Sequence, residues 1–109
     1  MSEPRNYRVI SYPEYTCELT EYNVRGLGVI FAHLDVRDNT PKTLKRLKRE
    51  WKLLRSCVSY PIFAYRGTED GDDRAYGHFM RFLGFESTGL DITCHNGETR
   101  PLYLSVRNG

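Results

Sequence analysis

Apolar residues recur along this chain with two different periods, and the change of period separates strands from helices. The longest apolar run, Gly28 to Val36, is nearly continuous, which predicts a strand covered on both of its faces. Between Pro41 and Cys57 the apolar residues return every three or four positions, which is typical of a helix with one buried face. This helix is predicted to begin at an Asn-Thr-Pro sequence, because asparagine or threonine caps the first amides and proline suits the first helical position.

A second helix is marked at both ends within the segment from Asp72 to Phe85. Asp72 or Asp73 can accept hydrogen bonds from the first amides of the helix, and Gly84 supplies a left-handed residue that closes the last turn. Four residues repeat at helical spacing and form one apolar stripe: Tyr76, Phe79, Met80 and Leu83. The following strand is predicted to begin at Phe85.

The remaining structured segments are predicted to be strands from their alternation or their aromatic content. They are Tyr15 to Asn23, Pro61 to Tyr65, Phe85 to Cys94 and Pro101 to Val106. An Asn-Gly pair between the last two strands indicates a hairpin. The order strand, strand, helix, strand, helix, strand, strand predicts an α+β fold with a mixed, mostly antiparallel sheet and two main helices packed on it.

Size and composition indicate a single domain with a modest core. The 109 residues are 39% hydrophobic, and no apolar run reaches the roughly 18 residues that a membrane span needs. The three cysteines are far apart without zinc-ligand spacing, and no signal peptide opens the chain. We therefore expect no metal, no membrane association and a reducing compartment.

Charge is sorted along the sequence, although the net charge is only +2. The segment from Lys42 to Arg55 holds seven basic residues and one acidic residue. These residues form either a solvated helix face or an anion-binding face for a nucleotide cofactor or a nucleic acid. Nucleic acid is the least favoured partner, because aromatic residues are not interleaved with the basic ones.

Four segments carry a resemblance to a known superfamily: Lys42 to Arg55, Ile62-Phe63-Ala64-Tyr65, Phe79 to Phe85 and Asn96-Gly97-Glu98. Together they resemble the second half of the GNAT acyltransferase fold, in which a central strand leads into a long helix, a strand, the last helix and a closing hairpin. They are most similar to the small GNAT-like proteins of tailed phages, of the internal virion protein A type. The resemblance implies one GNAT-like domain over residues 1–109, with a shortened amino-terminal part at 1–27 and the second half of the fold at 28–106.

The resemblance further implies acetyl-CoA as the acyl donor, bound beside the start of the basic helix. The residues that would hold this cofactor are Arg37, Asn39, Thr40, Lys42 and Lys45. The segment from Val36 to Thr43 lacks the glycines with which the superfamily cradles the diphosphate, and Pro41 removes one donor amide. An ordinary Thr-Pro helix cap is therefore the alternative interpretation of this segment.

Acyl transfer to an amine also needs a base for the amine and an acid for the leaving thiolate. Met80 occupies the position where the superfamily carries the tyrosine that acts as general acid, so Tyr76 or Tyr65 would have to supply the proton. His33 and Asp35 are the candidates for the base, because they share one face of the central strand. The alternative interpretations are core packing for the tyrosines and a hydrogen-bonded pair at a sheet edge for His33 and Asp35.

Two functions are consistent with these patterns. The first is a phage acyl-CoA N-acyltransferase acting on a protein or a small amine, and the second is a non-catalytic GNAT-derived phage protein that binds a virion or host protein. We expect a protein partner, a location in the host cytoplasm or the virion, and a homodimer as one way to cover the edges of a shortened sheet. A cleft between strands 28–36 and 61–65 would favour the enzyme, and fully paired strands would favour the binding protein.

Overall fold

The computed structural model describes residues 5–24, 26–67, 72–94 and 96–105. The elements in chain order are β1 Arg5–Ser11, β2 Tyr15–Val24, β3 Leu27–Val36, α1 Pro41–Cys57, β4 Ile62–Ala64, α2 Asp73–Leu83, β5 Glu86–Thr93 and β6 Thr99–Ser105. The strands form one sheet in the order β1-β2-β3-β4-β6-β5. β3 and β4 are parallel and the other neighbouring pairs are antiparallel, which confirms the predicted α+β class.

The element that the sequence pattern does not predict is β1. Its seven residues are almost all exposed, so they show no clear alternation of apolar and polar positions. It pairs antiparallel with β2, and side-chain bonds support this pairing: Thr20 Oγ1 donates to Asn6 Oδ1 at 2.6 Å, and Arg8 forms a 2.8 Å ion pair with Glu18. At the other end of the chain, Val106, which was included in the last predicted strand, lies outside the described residues.

Both helices pack on the same face of the sheet. The register of β2 with β3 places Tyr15, Cys17 and Leu19 on one face, opposite Val36, Leu34 and Ala32 respectively. The buried core joins this face to residues of both helices and of the later strands: Leu47, Trp51, Ile62, Ala64, Met80, Leu83, Phe85 and Tyr103.

The opposite face of the sheet carries a row of aromatic side chains. The ring of Phe31 lies 5.7 Å from those of Tyr22 and Phe63 and 5.8 Å from that of Tyr65, measured between centroids. Within the described residues no helix covers this face, so the prediction that β3 is covered on both faces is wrong. The apolar residues of β3 on this side are half-buried because the rings of neighbouring strands cover one another.

The helix boundaries follow their sequence signals. Thr40 caps α1, since its Oγ1 accepts a hydrogen bond from the Thr43 amide at 3.4 Å. Asp72 caps α2, because its Oδ1 accepts from the Arg74 amide at 3.0 Å. Gly84 ends α2 with a φ of 94°, and the next amide, that of Phe85, donates back to the Met80 carbonyl at 2.9 Å. This turn places the Phe85 ring against Trp51, and the two rings stack with their centroids 5.2 Å apart.

Candidate functional site

The parallel strands β3 and β4 stay together over only two residues of each strand. Their register contains the pairs Ile30–Ile62 and Phe31–Phe63. β3 then continues to Val36, whereas β4 ends at Ala64, where it remains paired on its other side with β6. The two strands therefore part at their carboxyl ends and leave a cleft between them.

The cleft has a volume of about 320 Å³. It is lined by residues of β3, of the segment after β4, of α2 and of the loop before α1: His33, Leu34, Asp35, Val36, Asn39, Tyr65, Arg66, Gly67, Tyr76 and Phe79. All four residues expected from the sequence to be catalytic are among them, namely His33, Asp35, Tyr65 and Tyr76. The fold thus brings these four residues to one place, although none of them is next to another in the sequence.

Two tyrosines face the cleft from different elements. Tyr76 lies in the first half of α2 with its ring 5.7 Å from that of Tyr103, and burial strongly raises the pKa of the Tyr76 phenol. Tyr65 follows β4, and burial raises its pKa as well. Both phenols are therefore protonated at neutral pH and cannot serve as a base, and the raised pKa makes each a weaker proton donor than an exposed tyrosine.

His33 stands on β3 between the cleft and the open face of the sheet. Its ring is 6.2 Å from that of Tyr65, and it lies opposite Glu18 in the register of β2 and β3. Burial lowers the pKa of His33, and the Glu18 carboxylate opposes this shift. The imidazole is therefore uncharged at neutral pH and able to accept a proton.

Asp35, the second candidate base, is already engaged. Its Oδ2 accepts a hydrogen bond from Arg37 Nη1, and its side chain is mostly exposed. The oxygen that would accept a proton from an amine is thus already bonded to a guanidinium. Of the two candidate bases, His33 is therefore the better suited to accept a proton from an amine.

The wall of the cleft after β4 is held by a buried arginine that sequence reasoning did not single out. Arg100 of β6 is 3% exposed; its Nη1 donates to the Arg66 carbonyl and its Nη2 donates to Glu98 Oε2 at 2.9 Å. Arg66 in turn donates from Nε to Asp73 Oδ1 at 2.8 Å, which ties the same segment to the start of α2. One arginine in a short strand gives no sequence signal of this role, because the partners come from distant parts of the chain.

The start of α1, where the cofactor phosphates were expected, is occupied by side chains of the protein itself. Asp38 accepts hydrogen bonds from the Thr40 amide at 3.0 Å and from Thr43 Oγ1 at 2.9 Å. The bond from the Thr40 amide, followed by that from Thr43, lowers the pKa of Asp38, so the carboxylate is charged. A negative charge here offsets the positive end of the helix dipole that would otherwise attract a phosphate.

The five residues expected to bind the cofactor are not gathered at the cleft. Asn39 lines it, and Thr40 caps the helix beside it. Arg37 is directed elsewhere, because Nε and Nη2 donate to the carbonyls of Pro13 and Tyr12 at 2.9 and 2.7 Å. Lys42 and Lys45 are exposed on the first turns of α1. Of these five residues, Lys42 and Lys45 are therefore the ones placed to attract an anion at this helix start.

Comparison with protein-family models, curated proteins and solved structures finds no match to this chain. Among the residues that the structure describes, no helix is long and apolar enough to cross a membrane. The same residues contain no group of three or more histidine, cysteine, aspartate or glutamate side chains that could hold a metal ion. The geometry and chemistry of the cleft are therefore the basis for assigning a function.

Proposed function

We propose that the protein is a small GNAT-type acyltransferase, from a phage, that transfers an acyl group from acyl-CoA to the amine of a protein or small molecule. The observation that carries the proposal is the parting of β3 and β4 after Phe31 and Phe63, which opens a cleft lined by candidate acid and base groups. The succession β3-α1-β4-α2-β5-β6 supports it, because it has the order that the resemblance implies for the second half of the fold.

Three side chains of the cleft can take part in the proton transfers of this reaction. Bound acetyl-CoA would supply an activated thioester carbonyl. His33, uncharged because burial lowers its pKa, accepts a proton at a ring nitrogen from the attacking amine. Tyr76, which lines the cleft with its hydroxyl protonated, donates its phenolic proton to the leaving sulfur, and Tyr65 is a second donor of the same kind.

The cleft fits the arm of the cofactor better than its diphosphate. Leu34, Val36 and Phe79 give the cleft apolar surface, which suits the pantetheine chain. The diphosphate would meet the Asp38 carboxylate at the start of α1, with Lys42 and Lys45 as the nearby cations. We therefore expect the binding energy of acetyl-CoA to come chiefly from contacts of its pantetheine arm with the cleft.

Isothermal titration with acetyl-CoA tests the proposal. A saturable heat is expected, and the absence of heat at high micromolar protein would remove the acyltransferase. His33→Gln and Tyr76→Phe are expected to lower the acyl-transfer rate by about 10²-fold or more while leaving donor affinity within about threefold, because general acid–base groups act on the transition state. Tyr60→Phe is the matched control, because Tyr60 is 65% exposed and does not line the cleft.

A non-catalytic GNAT-derived phage protein that binds a virion or host protein is the second candidate function. Asp38 is the observation that favours it, because a charged carboxylate at the helix start opposes phosphate binding. Recovery of one tight protein partner, with binding unchanged by Tyr65→Phe and Tyr76→Phe, would support this candidate. Loss of function in those two variants with the fold intact would exclude it.

A further inference from the structure

One side of α1 carries a continuous row of basic side chains, here called the basic stripe: Lys42, Lys45, Arg49 and Lys52. All four are exposed, and their spacing of three, four and three residues places them on one face of the helix. The buried residues of α1 lie on the opposite face: Thr43, Leu47, Trp51 and Arg55. The basic stripe therefore points directly into solvent and extends over about 15 Å, at about 1.5 Å per residue.

The basic stripe is a cluster of like charges on the described part of the chain. Within the described residues, none of its four members takes part in an ion pair. Glu50 is the single acidic residue of α1, and it accepts a hydrogen bond from the Tyr15 hydroxyl at 2.8 Å on another side of the helix. The first turn of α1 contains no acidic residue. Four neighbouring cations thus remain to attract a negatively charged partner.

The basic stripe begins beside the cleft. Asn39 lines the cleft, and Lys42 stands one residue after Pro41, at which α1 begins. From there the stripe leads away from the cleft along the outside of the helix. A partner lying on it would therefore have one end at the place where the acyl group must enter.

A nucleotide is too short to account for this surface. Its diphosphate would cover only the start of α1, where Asp38, which precedes the helix, already presents a charged carboxylate. Arg49 and Lys52 lie two and three turns further on, at about 5.4 Å per turn. Charges spread over such a length match a protein surface better than a phosphate group.

We propose that an acidic acyl carrier protein docks on the basic stripe and delivers its acyl group into the cleft on a phosphopantetheine arm. The role of the arm rests on the proposed acyltransferase function, whereas the docking surface rests on the stripe. In the transfer, the acyl carbon forms a bond to the amine nitrogen, its bond to the carrier sulfur breaks, and the proton lost by the amine ends on the released thiol. The negative charge of the carrier complements the positive charge of the basic stripe. The phosphopantetheine arm carries no nucleotide diphosphate, so it needs no diphosphate site beside Asp38.

Binding of an apo acyl carrier protein, which has no arm, tests the docking surface. Saturable binding that weakens as salt is added is expected. Lys45→Glu and Arg49→Glu should each weaken it by about tenfold or more, because each turns an attraction into a repulsion. Arg5→Glu is the matched control, since Arg5 is an exposed basic residue of the edge strand β1 and not of α1, and its reversal should leave affinity within about twofold.

Three results would overturn the inference: no binding of the apo carrier, equal loss in Arg5→Glu, or equal binding of a single-stranded oligonucleotide to the stripe. Acyl transfer from the acetylated carrier, from acetyl-CoA and from acetyl-pantetheine separates this inference from the proposed function. Transfer from acetyl-CoA without carrier binding removes the inference and keeps the acyltransferase. Carrier binding sensitive to the stripe, without transfer from any donor, keeps the docking surface and removes the acyltransferase.

Discussion

Gly77 of α2 lies so close to Tyr103 of β6 that a methyl group at position 77 would stand 2.8 Å from the tyrosine hydroxyl oxygen. Both residues are buried, so neither can move aside into solvent. Gly77→Ala is expected to lower the free energy of unfolding by about 1 kcal/mol, because overpacking of about 1–3 kcal/mol exceeds the helix propensity of about 1 kcal/mol that alanine adds. Chemical denaturation measures the difference.

Tyr103→Phe provides the second arm of this experiment, because it removes the hydroxyl that the new methyl group would meet. In that background, Gly77→Ala should be neutral or stabilising by up to about 1 kcal/mol. The same loss of stability in both backgrounds would show that the contact with the hydroxyl is not its cause.

A substitution at Gly84 measures the cost of its backbone conformation without a steric clash. Its φ of 94° is unfavourable for residues with a side chain, and an added methyl group would meet nothing within 4 Å. Gly84→Ala should therefore lower the free energy of unfolding by about 1–2 kcal/mol through backbone strain. Gly28→Ala in β3 is the control, because Gly28 also has open space around it but no positive φ, and its melting temperature should stay unchanged or rise.

His33 makes stability depend on pH. Burial lowers its pKa below the ordinary 6.5, so the folded state binds this proton more weakly than the unfolded chain. The contribution to stability is complete above pH 6.5 and is lost as the pH falls from 6.5 through the lowered pKa. His33→Gln should flatten this part of the curve of unfolding free energy against pH.

Glu18 should hold the pKa of His33 higher than burial alone would set it. Glu18→Gln removes the negative charge that faces the imidazole across β2 and β3, so the pKa of His33 should fall further. Titration of the imidazole proton resonances by NMR measures this shift. An unchanged or raised pKa in the variant would contradict the pairing of these two groups.

Met80 is fully buried in the core, although the resemblance aligns it with the tyrosine that acts as general acid. Met80→Tyr should lower the free energy of unfolding by about 1–3 kcal/mol, because the larger ring overpacks a filled site. It should not raise the rate of acyl transfer, since Met80 does not line the cleft. Met80→Leu conserves volume and should cost less than about 1.5 kcal/mol, whereas a faster transfer by Met80→Tyr would refute this placement.

Asp38 should weaken the binding of acetyl-CoA. Asp38→Asn keeps an oxygen that can accept from the Thr40 amide but removes the negative charge at the start of α1. The affinity for acetyl-CoA should rise by about two- to tenfold at low salt, and the gain should shrink as salt is added. Equal affinities of the two proteins in titration would show that the diphosphate does not approach this helix end.

The sequence predicts α1 and α2 well because the apolar period of each helix agrees with its N-terminal capping residue, and α2 also has Gly84 at its end. It does not predict β1, because a strand with little buried surface has no apolar face to show in its pattern. The continuous run of β3 was misleading for a related reason. On the open face Phe31 packs against Tyr22 of β2 and Phe63 of β4, and a single segment cannot reveal that contact.

The candidate site was predictable in part. Strand alternation places His33 and Asp35 on one face, and the resemblance indicates Tyr65 and Tyr76; all four line the cleft. The supporting residues carry no local signal, because their roles come from pairing between distant strands. Glu18 faces His33 only through the register of β2 and β3, and Arg100 reaches the segment after β4 only because β6 lies beside it.

Trp51 is the single tryptophan of the chain, and its stack on Phe85 gives the protein an internal optical probe. The indole is 2% exposed, so the folded protein should fluoresce at short wavelength and shift to the red when water reaches the ring. Trp51 belongs to α1 and Phe85 follows the turn that ends α2. The emission of Trp51 therefore reports whether the two helices are packed against each other. Unfolding of every variant described above can therefore be followed by fluorescence without an added label.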